Sequence, residues 1–199
     1  MTADVALTLG DGIGPEIAIK AASRLAETGK TSVVLVGDPH VIHHCVQRLA
    51  IDRSLAEFSN GATRPGALSY LPIERLPEAT LCPGQISAEA GQAAADYVSA
   101  AIRFVEQGYV QSIAACPHSE TSVNAAGIPF SGYPSLLARL NGIPEDHVFL
   151  MLAGAGLRVV HVTLDKRLQT ALARISRELV DAQREPPLPP CKPWRLRTR

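Results

Sequence analysis

The sequence predicts an α/β protein built on a mainly parallel β-sheet with helices on both faces. Two observations carry this prediction. Short apolar stretches with strand character alternate along the chain with longer segments whose apolar residues recur at helical spacing. Several of the apolar stretches also end in a glycine-containing turn that leads directly into a helical segment. Parallel strands need a crossover connection, which is most often a helix, so this alternation is typical of a parallel sheet.

The first two strand–helix units are the clearest part of the pattern. Residues Asp4–Leu9 form an apolar strand, and a glycine turn leads into a helix that begins at Pro15 and ends at Gly29. Proline suits the first helical turn because its missing N–H would be unpaired there in any case. The β-branched run Ser32–Val36 predicts a second strand covered on both faces, followed by a helix that begins near Pro39.

The middle of the chain contains the longest predicted helix. Residues 51–66 show weak periodicity and are expected to form loops or edge structure, and Ala67–Ile73 is a candidate strand. The segment Ala88–Gln107 then carries an apolar stripe at helical spacing, with Ser87 as its N-cap and Gly108 at its C-terminal end. We expect this helix to pack on the sheet.

The remaining segments predict further strands and helices before a different kind of sequence begins. They are a strand at Ser112–Cys116, short helical or turn segments through Leu140, strands at Val148–Leu152 and Leu157–Thr163, and a helix from Leu168 to Arg184. We therefore expect one α/β domain over residues 1–185. Residues 186–199 hold five of the fifteen prolines and are expected to be disordered. A proline-rich ligand for a partner and a frameshifted end are the alternatives for this tail.

Composition and charge narrow the function classes. The chain has 19 basic and 19 acidic residues, so no basic field attracts nucleic acid, and no apolar run is long enough to span a membrane. The N-terminus lacks the pattern of a signal peptide, and we expect a cytoplasmic protein. The four cysteines, Cys45, Cys82, Cys116 and Cys191, are widely scattered, which predicts reduced and mostly buried thiols.

Two motifs in the first half could bind a ligand. The turn Gly10–Glu16 presents backbone N–H groups at a helix N-terminus, where an anion could bind, although a tight turn alone would also need these glycines. Its spacing is not the G-x-G-x-x-G pattern of dinucleotide-binding folds. His40, His43 and His44 share a predicted helix and could hold a metal, but an exposed helix face is the favoured reading.

Two candidates for chemistry follow strands in the second half. Residues Cys116–Glu120 contain a thiol, an imidazole, a hydroxyl and a carboxylate, which allows nucleophilic catalysis, although a core cysteine is the favoured interpretation. Asp165 follows the strand Leu157–Thr163, where parallel sheets present functional groups. It could equally cap the next helix.

Three longer segments resemble the 4-hydroxythreonine-4-phosphate dehydrogenase family. They are PGQISAEAGQAAADYVSAAI, ACPHSETSVNAAGIPFSGYPSLLARL, and VFLMLA with LRVVHVT; the earlier GDGIGPEI and VVLVGDP extend the similarity over residues 4–180. The first turn also resembles that of isopropylmalate dehydrogenase. The resemblance implies an isopropylmalate-dehydrogenase-like fold that is C-terminally truncated, so that the chain corresponds to the family's N-terminal and central portion.

The resemblance also implies a reaction and its cofactors. Members of the family oxidise a secondary alcohol with NAD and then release CO2, aided by a divalent metal that three histidines hold. Tyr133 and Pro134 stand at the family's substrate-binding His-Thr pair, Ser119 and Glu120 stand at its His-Lys pair, and Asp165 stands at its first metal histidine. Because family sites lie at a subunit interface, a homodimer or a complementing chain is expected.

These substitutions leave three functions open. The first is an NAD-dependent dehydrogenase of pyridoxal phosphate biosynthesis, which oxidatively decarboxylates 4-phosphohydroxythreonine or a related β-hydroxy acid. The second is a catalytically inactive remnant, a pseudoenzyme, that dimerises or binds a partner. The third is a small-molecule binding module.

Overall fold

The computed structural model describes residues 3–59, 63, 67–164 and 166–183. The chain divides into two compact units, Met1–Phe130 and Ser131–Arg199. The proline-rich segment 186–199 and Cys191 lie outside the described residues, so the predicted tail and the single domain over residues 1–185 stay predictions.

The first unit is built on a five-stranded parallel sheet, as the sequence predicts. Its strands are β1 (Ala3–Thr8), β2 (Val33–Gly37), β3 (Leu55–Glu57), β4 (Leu68–Pro72) and β5 (Val110–Ala115). They are ordered β3-β4-β2-β1-β5, and every neighbouring pair is parallel. The segment 51–66, expected to form loops or edge structure, supplies the short edge strand β3.

Four helices connect and flank these strands. They are α1 (Gly14–Thr28), α2 (Pro39–Arg48), α3 (Ala88–Glu106) and α4 (Glu120–Ala125). The connection from β1 to β2 runs along the sheet in one direction, and the connection from β4 to β5 runs in the other. Because such crossovers are right-handed, α1 and α3 lie on opposite faces. Helix α1 packs on β1, β2 and β4, whereas α3 packs on β1, β2 and β5.

The ends of the two longest helices form as the sequence predicts. Pro15 lies in the first turn of α1, and Gly29 ends that helix in the left-handed region at φ 62°. The N-cap of α3 is Ser87, whose hydroxyl accepts a hydrogen bond of 3.0 Å from the backbone N–H of Ala90. Local capping chemistry therefore sets these boundaries.

A buried carboxylate ties α3 to the sheet. Asp38, which follows β2 and is 1% exposed, accepts hydrogen bonds from the backbone N–H groups of Arg75 and Leu76, at 2.9 and 3.1 Å. It also accepts a hydrogen bond of 2.5 Å from the hydroxyl of Tyr97 on α3. Burial and the adjacent carboxylate raise the pKa of Tyr97, so its hydroxyl stays protonated and donates.

The second unit contains short helices and a two-stranded hairpin. Its elements are α5 (Tyr133–Leu140), a 3₁₀ turn at Glu145–His147, β6 (Leu150–Gly154), β7 (Leu157–His161), α6 (Leu168–Arg174) and α7 (Arg177–Ala182). Strands β6 and β7 are antiparallel, and Ala155 and Gly156 join them with φ values of 47° and 80°. Two residues in the left-handed region are typical of a tight hairpin.

The single helix predicted from Leu168 to Arg184 is wrong, because the segment forms two helices. Ile175 is extended, with ψ 116°, and ends α6. Ser176 then caps α7, its hydroxyl accepting a hydrogen bond of 3.2 Å from the N–H of Leu179. The apolar spacing continues across the break, but a serine that bonds the backbone ahead of it favours a new helix start.

Candidate functional site

The carboxyl ends of β1 and β5 lie side by side at the point in the sheet where the strand order reverses. The chain leaves β1 toward one edge of the sheet and reaches β5 by the opposite route. In open α/β sheets, the crevice at such a switch point is where ligands bind. The loops after β1 and β5 are therefore the first candidate site.

The turn after β1 approaches the loop after β5 so closely that it needs glycine. Gly10 has φ 66°, and a Cβ atom added there would lie 2.4 Å from the carbonyl oxygen of Pro117. A Cβ atom on Gly14 would lie 2.2 Å from the carbonyl oxygen of Leu9. Real Cβ atoms do not come so close to backbone oxygen, so Gly10 lets this turn pack against the neighbouring loop and Gly14 lets the turn fold back onto Leu9.

Asp11 places a buried carboxylate at this junction. The residue is 6% exposed, and its Oδ1 atom accepts a hydrogen bond of 2.5 Å from the backbone N–H of Ser119. Its Oδ2 atom is buried and has no hydrogen-bond partner within the described ranges of the chain. A buried acceptor of this kind calls for a donor, which a ligand could supply. At this turn the negative charge favours a hydroxyl or amine over an anion.

The loop after β5 contains an imidazole and a thiol whose pKa values are both shifted by burial, each toward its neutral form. Burial lowers the pKa of His118, and the charge of Asp11 opposes that shift. The His118 ring also packs on Phe130, with ring centroids 5.7 Å apart. Burial raises the pKa of the Cys116 thiol to about 11, so little thiolate exists near neutral pH. A core role for Cys116 is therefore favoured over nucleophilic catalysis.

Ser119 and Glu120 begin the helix α4. The Ser119 hydroxyl accepts a hydrogen bond of 3.2 Å from the N–H of Ser122, and it caps the helix. Glu120 lies in the first turn and is exposed. The carboxylate that the resemblance places at the family's lysine position is thus on the surface of the first unit.

A pocket adjoins the turn after β1, and we call it the glycine-turn pocket. Asp11 of the turn lines this pocket, together with His44 and Cys45 of α2 and apolar side chains such as Leu76. Its volume is about 90 Å³. At the rim, Arg48 pairs with Glu16 at 3.3 Å. The cavity therefore joins a buried acceptor to an apolar wall, which suits a small hydroxylated group.

The three predicted helix histidines do not converge. His43 stacks edge-on against Tyr70, with centroids 6.3 Å apart, while His44 lines the glycine-turn pocket. Within residues 3–59, 63, 67–164 and 166–183, no group of three or more His, Cys, Asp or Glu side chains could hold a metal ion. In the same ranges, no helix is long and apolar enough to cross a membrane.

The second unit has a pocket of its own, of about 140 Å³, which we call the second-unit pocket. Pro134 and Ser135 of α5 line it, and Tyr133 does not. Asp165 lies outside the described residues, but its neighbours Leu164 and Lys166 both line this pocket. Of the positions that the resemblance assigns to substrate, Pro134 therefore lines this cavity.

The sequence patterns do not predict several charged and aromatic residues of this pocket. They are Phe149, His161, Lys166 and Arg174, together with the acidic residues Glu145 and Asp146. Arg174 pairs with Asp146 across 28 residues of sequence. Nothing in local spacing predicts such a pairing. Of the six residues, only Lys166 could have been suspected from sequence, because it directly follows Asp165.

The chain matches one protein family over most of its length. The profile of the family described as pyridoxal phosphate biosynthetic protein PdxA matches residues 29–185. This chain belongs to the PdxA family. A 1,2-dihydroxy-3,5-cyclohexadiene-1,4-dicarboxylate dehydrogenase from Comamonas sp. is 41% identical over 178 residues, which cover 88% of this chain and 53% of that protein. A 4-hydroxythreonine-4-phosphate dehydrogenase from Beijerinckia indica is 35% identical over 85% of this chain and 50% of that protein.

Solved structures of PdxA-family proteins share the fold. A 4-hydroxythreonine-4-phosphate dehydrogenase from Burkholderia phymatum superposes with a TM-score of 0.79 at 25% identity, covering 92% of this chain and 57% of that one. A terephthalate 1,2-cis-dihydrodiol dehydrogenase from Burkholderia xenovorans superposes with a TM-score of 0.70 at 40% identity, covering 92% and 55%. The chain thus spans about half the length of these relatives.

Proposed function

We propose that this chain forms the front portion of an NAD-dependent dehydrogenase that oxidises a secondary alcohol of a hydroxy acid. The observation that carries the proposal is Asp11, a buried carboxylate at the switch point of the sheet whose Oδ2 atom has no hydrogen-bond partner among the described residues. Membership of a dehydrogenase family supports the reaction class. When bound, a nicotinamide cofactor supplies the hydride acceptor, and the protein positions it.

The glycine-turn pocket fits one part of such a cofactor. In dinucleotide-binding folds an acidic side chain accepts hydrogen bonds from ribose hydroxyls, and the Oδ2 atom of Asp11 is free to do so among the described residues. The cavity of about 90 Å³ is much smaller than a whole dinucleotide, so we propose only the ribose as its occupant. Leu76 and Ala93 supply apolar wall against which a sugar ring can pack. We assign the ribose contact to Asp11 and leave the rest of the cofactor unplaced.

The metal that the resemblance implies is not supplied by the described residues. They hold no cluster of three candidate ligands, and Asp165 lies outside them. The described part of the chain therefore does not by itself form a metal site.

The substrate we favour carries carboxylates on a ring and no phosphate. The relative from Comamonas acts, by its name, on a dihydroxycyclohexadiene dicarboxylate. At the family's His-Thr pair this chain has Tyr133 and Pro134, and a proline side chain offers no donor to a phosphate. The second-unit pocket contains Lys166 as a cation for a carboxylate and Phe149 as an apolar surface for a ring.

Turnover of two substrates tests this proposal. The chain is incubated with NAD, Mg²⁺ or Zn²⁺, and either 1,2-dihydroxy-3,5-cyclohexadiene-1,4-dicarboxylate or 4-phosphohydroxythreonine, and NADH formation is followed by absorbance. We expect NADH from the cyclic diol and at least about tenfold less from the phosphate ester, because one lost charge-assisted contact is worth about 1.4 kcal/mol or more. Preference for the phosphate ester would refute the substrate assignment.

The inactive remnant remains the second candidate, and one observation favours it. Tyr133 and Pro134 stand where the resemblance places the family's substrate-binding His-Thr pair, and a proline side chain offers no hydrogen-bond donor. Binding of NAD without turnover of either substrate would support this candidate, or a binding module, over the enzyme. Turnover at a few per cent of the rate of a full-length relative would exclude it.

The hairpin of the second unit supports association with a second copy. Five of its apolar side chains are exposed: Leu150, Met151, Leu152, Leu157 and Val159. Leu152 pairs with Val159 across the two strands, and both are about half exposed. A contiguous apolar patch is typical of an interface. Sedimentation of the chain should show a homodimer, and replacement of both residues by lysine should shift it to monomer; a wild-type monomer at high concentration would refute this.

A further inference from the structure

Residues 74–85, which we call the pocket-wall segment, form one side of the glycine-turn pocket. The segment belongs to the connection between β4 and α3, and Leu76 and residues 80–85 line the pocket. Apart from the 3₁₀ turn Glu78–Thr80, this segment, all of whose residues are described, has no helix or strand. A connection with so little secondary structure makes few backbone hydrogen bonds of its own, so contacts from outside must fix its position.

Asp38 provides this attachment. The structure shows two hydrogen bonds from the backbone of residues 74–85 to other described parts of the chain, and both go to Asp38. The N–H of Arg75 donates to Oδ1 at 2.9 Å, and the N–H of Leu76 donates to Oδ2 at 3.1 Å. The Arg75 side chain also pairs with Asp96 at 3.4 Å, but a surface ion pair of this kind holds a backbone only weakly.

The Asp38 side chain does not perform the task that its position favours. Asp38 is the N-cap residue of α2, where an aspartate side chain usually accepts a hydrogen bond from the backbone of its own helix. Here the side chain makes no capping bond. Two of the three groups that donate to it, the N–H of Leu76 and the hydroxyl of Tyr97, belong to residues that line the glycine-turn pocket. The carboxylate therefore serves the wall of the pocket and not its own helix.

Asp38 acts on the pocket through these partners. It is 1% exposed and is not among the described residues that line the cavity. We propose that Asp38 is a positioning residue, which holds the pocket-wall segment in place and thereby sets the affinity of the glycine-turn pocket for its ligand. The inference rests on the proposed function in one respect, namely that the ligand is the ribose of NAD.

Asp38→Asn tests this role at nearly constant side-chain size. An asparagine keeps one oxygen acceptor and has an NH₂ group, which donates, in place of the other. Whichever way the amide is turned, its NH₂ group faces a backbone N–H of Arg75 or of Leu76. At least one of the two attachments is therefore lost, and the pocket-wall segment is released at that point.

Asp4→Asn is the matched control. Asp4 is a partly buried carboxylate whose Oδ2 atom accepts hydrogen bonds from the backbone N–H and the hydroxyl of Ser32, at 2.8 and 3.1 Å. It lies near the start of β1, whereas the pocket adjoins the turn after that strand. This variant therefore perturbs comparable hydrogen bonds without affecting the pocket-wall segment. Circular dichroism checks that both variants fold.

Calorimetric titration of the 199-residue chain with NAD is the first measurement. We expect Asp38→Asn to bind NAD at least about tenfold more weakly than wild type, and Asp4→Asn to bind it as tightly as wild type. A loss of stability alone would not produce this difference, because both variants are titrated in the folded state. Unchanged affinity of Asp38→Asn, or an equal loss in the two variants, would overturn the proposal.

Amide NMR spectra without cofactor provide a second measurement. We expect the amide signals of the pocket-lining residues Thr80, Leu81, Cys82, Gly84 and Gln85 to shift in Asp38→Asn and to stay in place in Asp4→Asn. Unmoved signals in Asp38→Asn would show that the segment does not depend on the carboxylate. If wild type does not bind NAD, the proposed function fails, and this comparison alone decides whether Asp38 positions the wall.

Hydrogen exchange in the wild-type chain decides the case in which Asp38→Asn does not fold. We expect the amides of Arg75 and Leu76 to exchange at least about tenfold more slowly than the amide of Gly84, an exposed residue of the same segment, because both donate to Asp38. Exchange at Arg75 and Leu76 as fast as at Gly84 would overturn the proposal.

Discussion

Tyr97→Phe should destabilise the first unit by removing one hydrogen bond and almost no volume. The Tyr97 hydroxyl donates at 2.5 Å to Asp38, and the two residues are 2% and 1% exposed, so water cannot take the place of the donor. The carboxylate would keep only the N–H groups of Arg75 and Leu76. Loss of a buried hydrogen bond to a charged group costs about 1.5–3 kcal/mol, and we expect a loss of about 2 kcal/mol in the free energy of unfolding.

Urea denaturation followed by circular dichroism measures this loss. For a chain of this size, about 2 kcal/mol corresponds to a decrease of about 4–8 °C in Tm. Tyr109→Phe is the matched control, because Tyr109 is 40% exposed, and this variant should change the free energy of unfolding by less than about 0.5 kcal/mol. Equal stability of Tyr97→Phe and wild type would refute the view that Asp38 depends on this donor.

Three further predictions concern the loops at the ends of β1 and β5. Gly10→Ala should destabilise the fold by at least about 1 kcal/mol, measured by urea denaturation, because φ is 66° and the new Cβ atom would meet Pro117; a neutral change would contradict the close approach. Iodoacetamide should label Cys82 much faster than Cys116 at pH 8, read out by peptide mass spectrometry, because Cys82 is exposed and burial raises the pKa of Cys116 to about 11; equal rates would contradict it. NMR titration should give His118 a pKa below 6.5. The unfolded chain then binds a proton that the folded chain does not, so the free energy of unfolding should fall as the pH drops from about 6.5 to the folded-state pKa, and His118→Gln should remove that part of the pH dependence.

The fold was predictable from sequence where local chemistry sets the boundaries. Ser87 caps α3 and Gly29 ends α1, and both are local signals that tertiary contacts reinforce. The break at Ile175 was missed because the apolar spacing continues through it, while one serine hydroxyl decides where the next helix starts. Antiparallel pairing of β6 and β7 is indicated only by the two-residue turn between them.

The candidate site was predictable only in part. The glycines of the turn after β1 predict either an anion site or a tight turn alone, and the structure presents there the acceptor oxygen of Asp11. Burial decides between these readings, and burial of Asp11 depends on the loop after β5, which lies about a hundred residues further along the chain. The pairing of Arg174 with Asp146 is equally non-local. Sequence spacing carries no information about contacts of that kind.

Calorimetric titration with NAD tests the central claim most directly. The claim is that Asp11 holds a hydroxyl of the cofactor, so the comparison is between wild type, Asp11→Asn and the control Asp52→Asn, which removes an exposed carboxylate far from the turn in sequence. We expect wild type and Asp52→Asn to bind NAD equally and Asp11→Asn to bind at least about tenfold more weakly, since hydrogen bonds to a charged group are worth about 1.5–3 kcal/mol. Equal affinity of all three proteins, or no binding by wild type, would contradict the account.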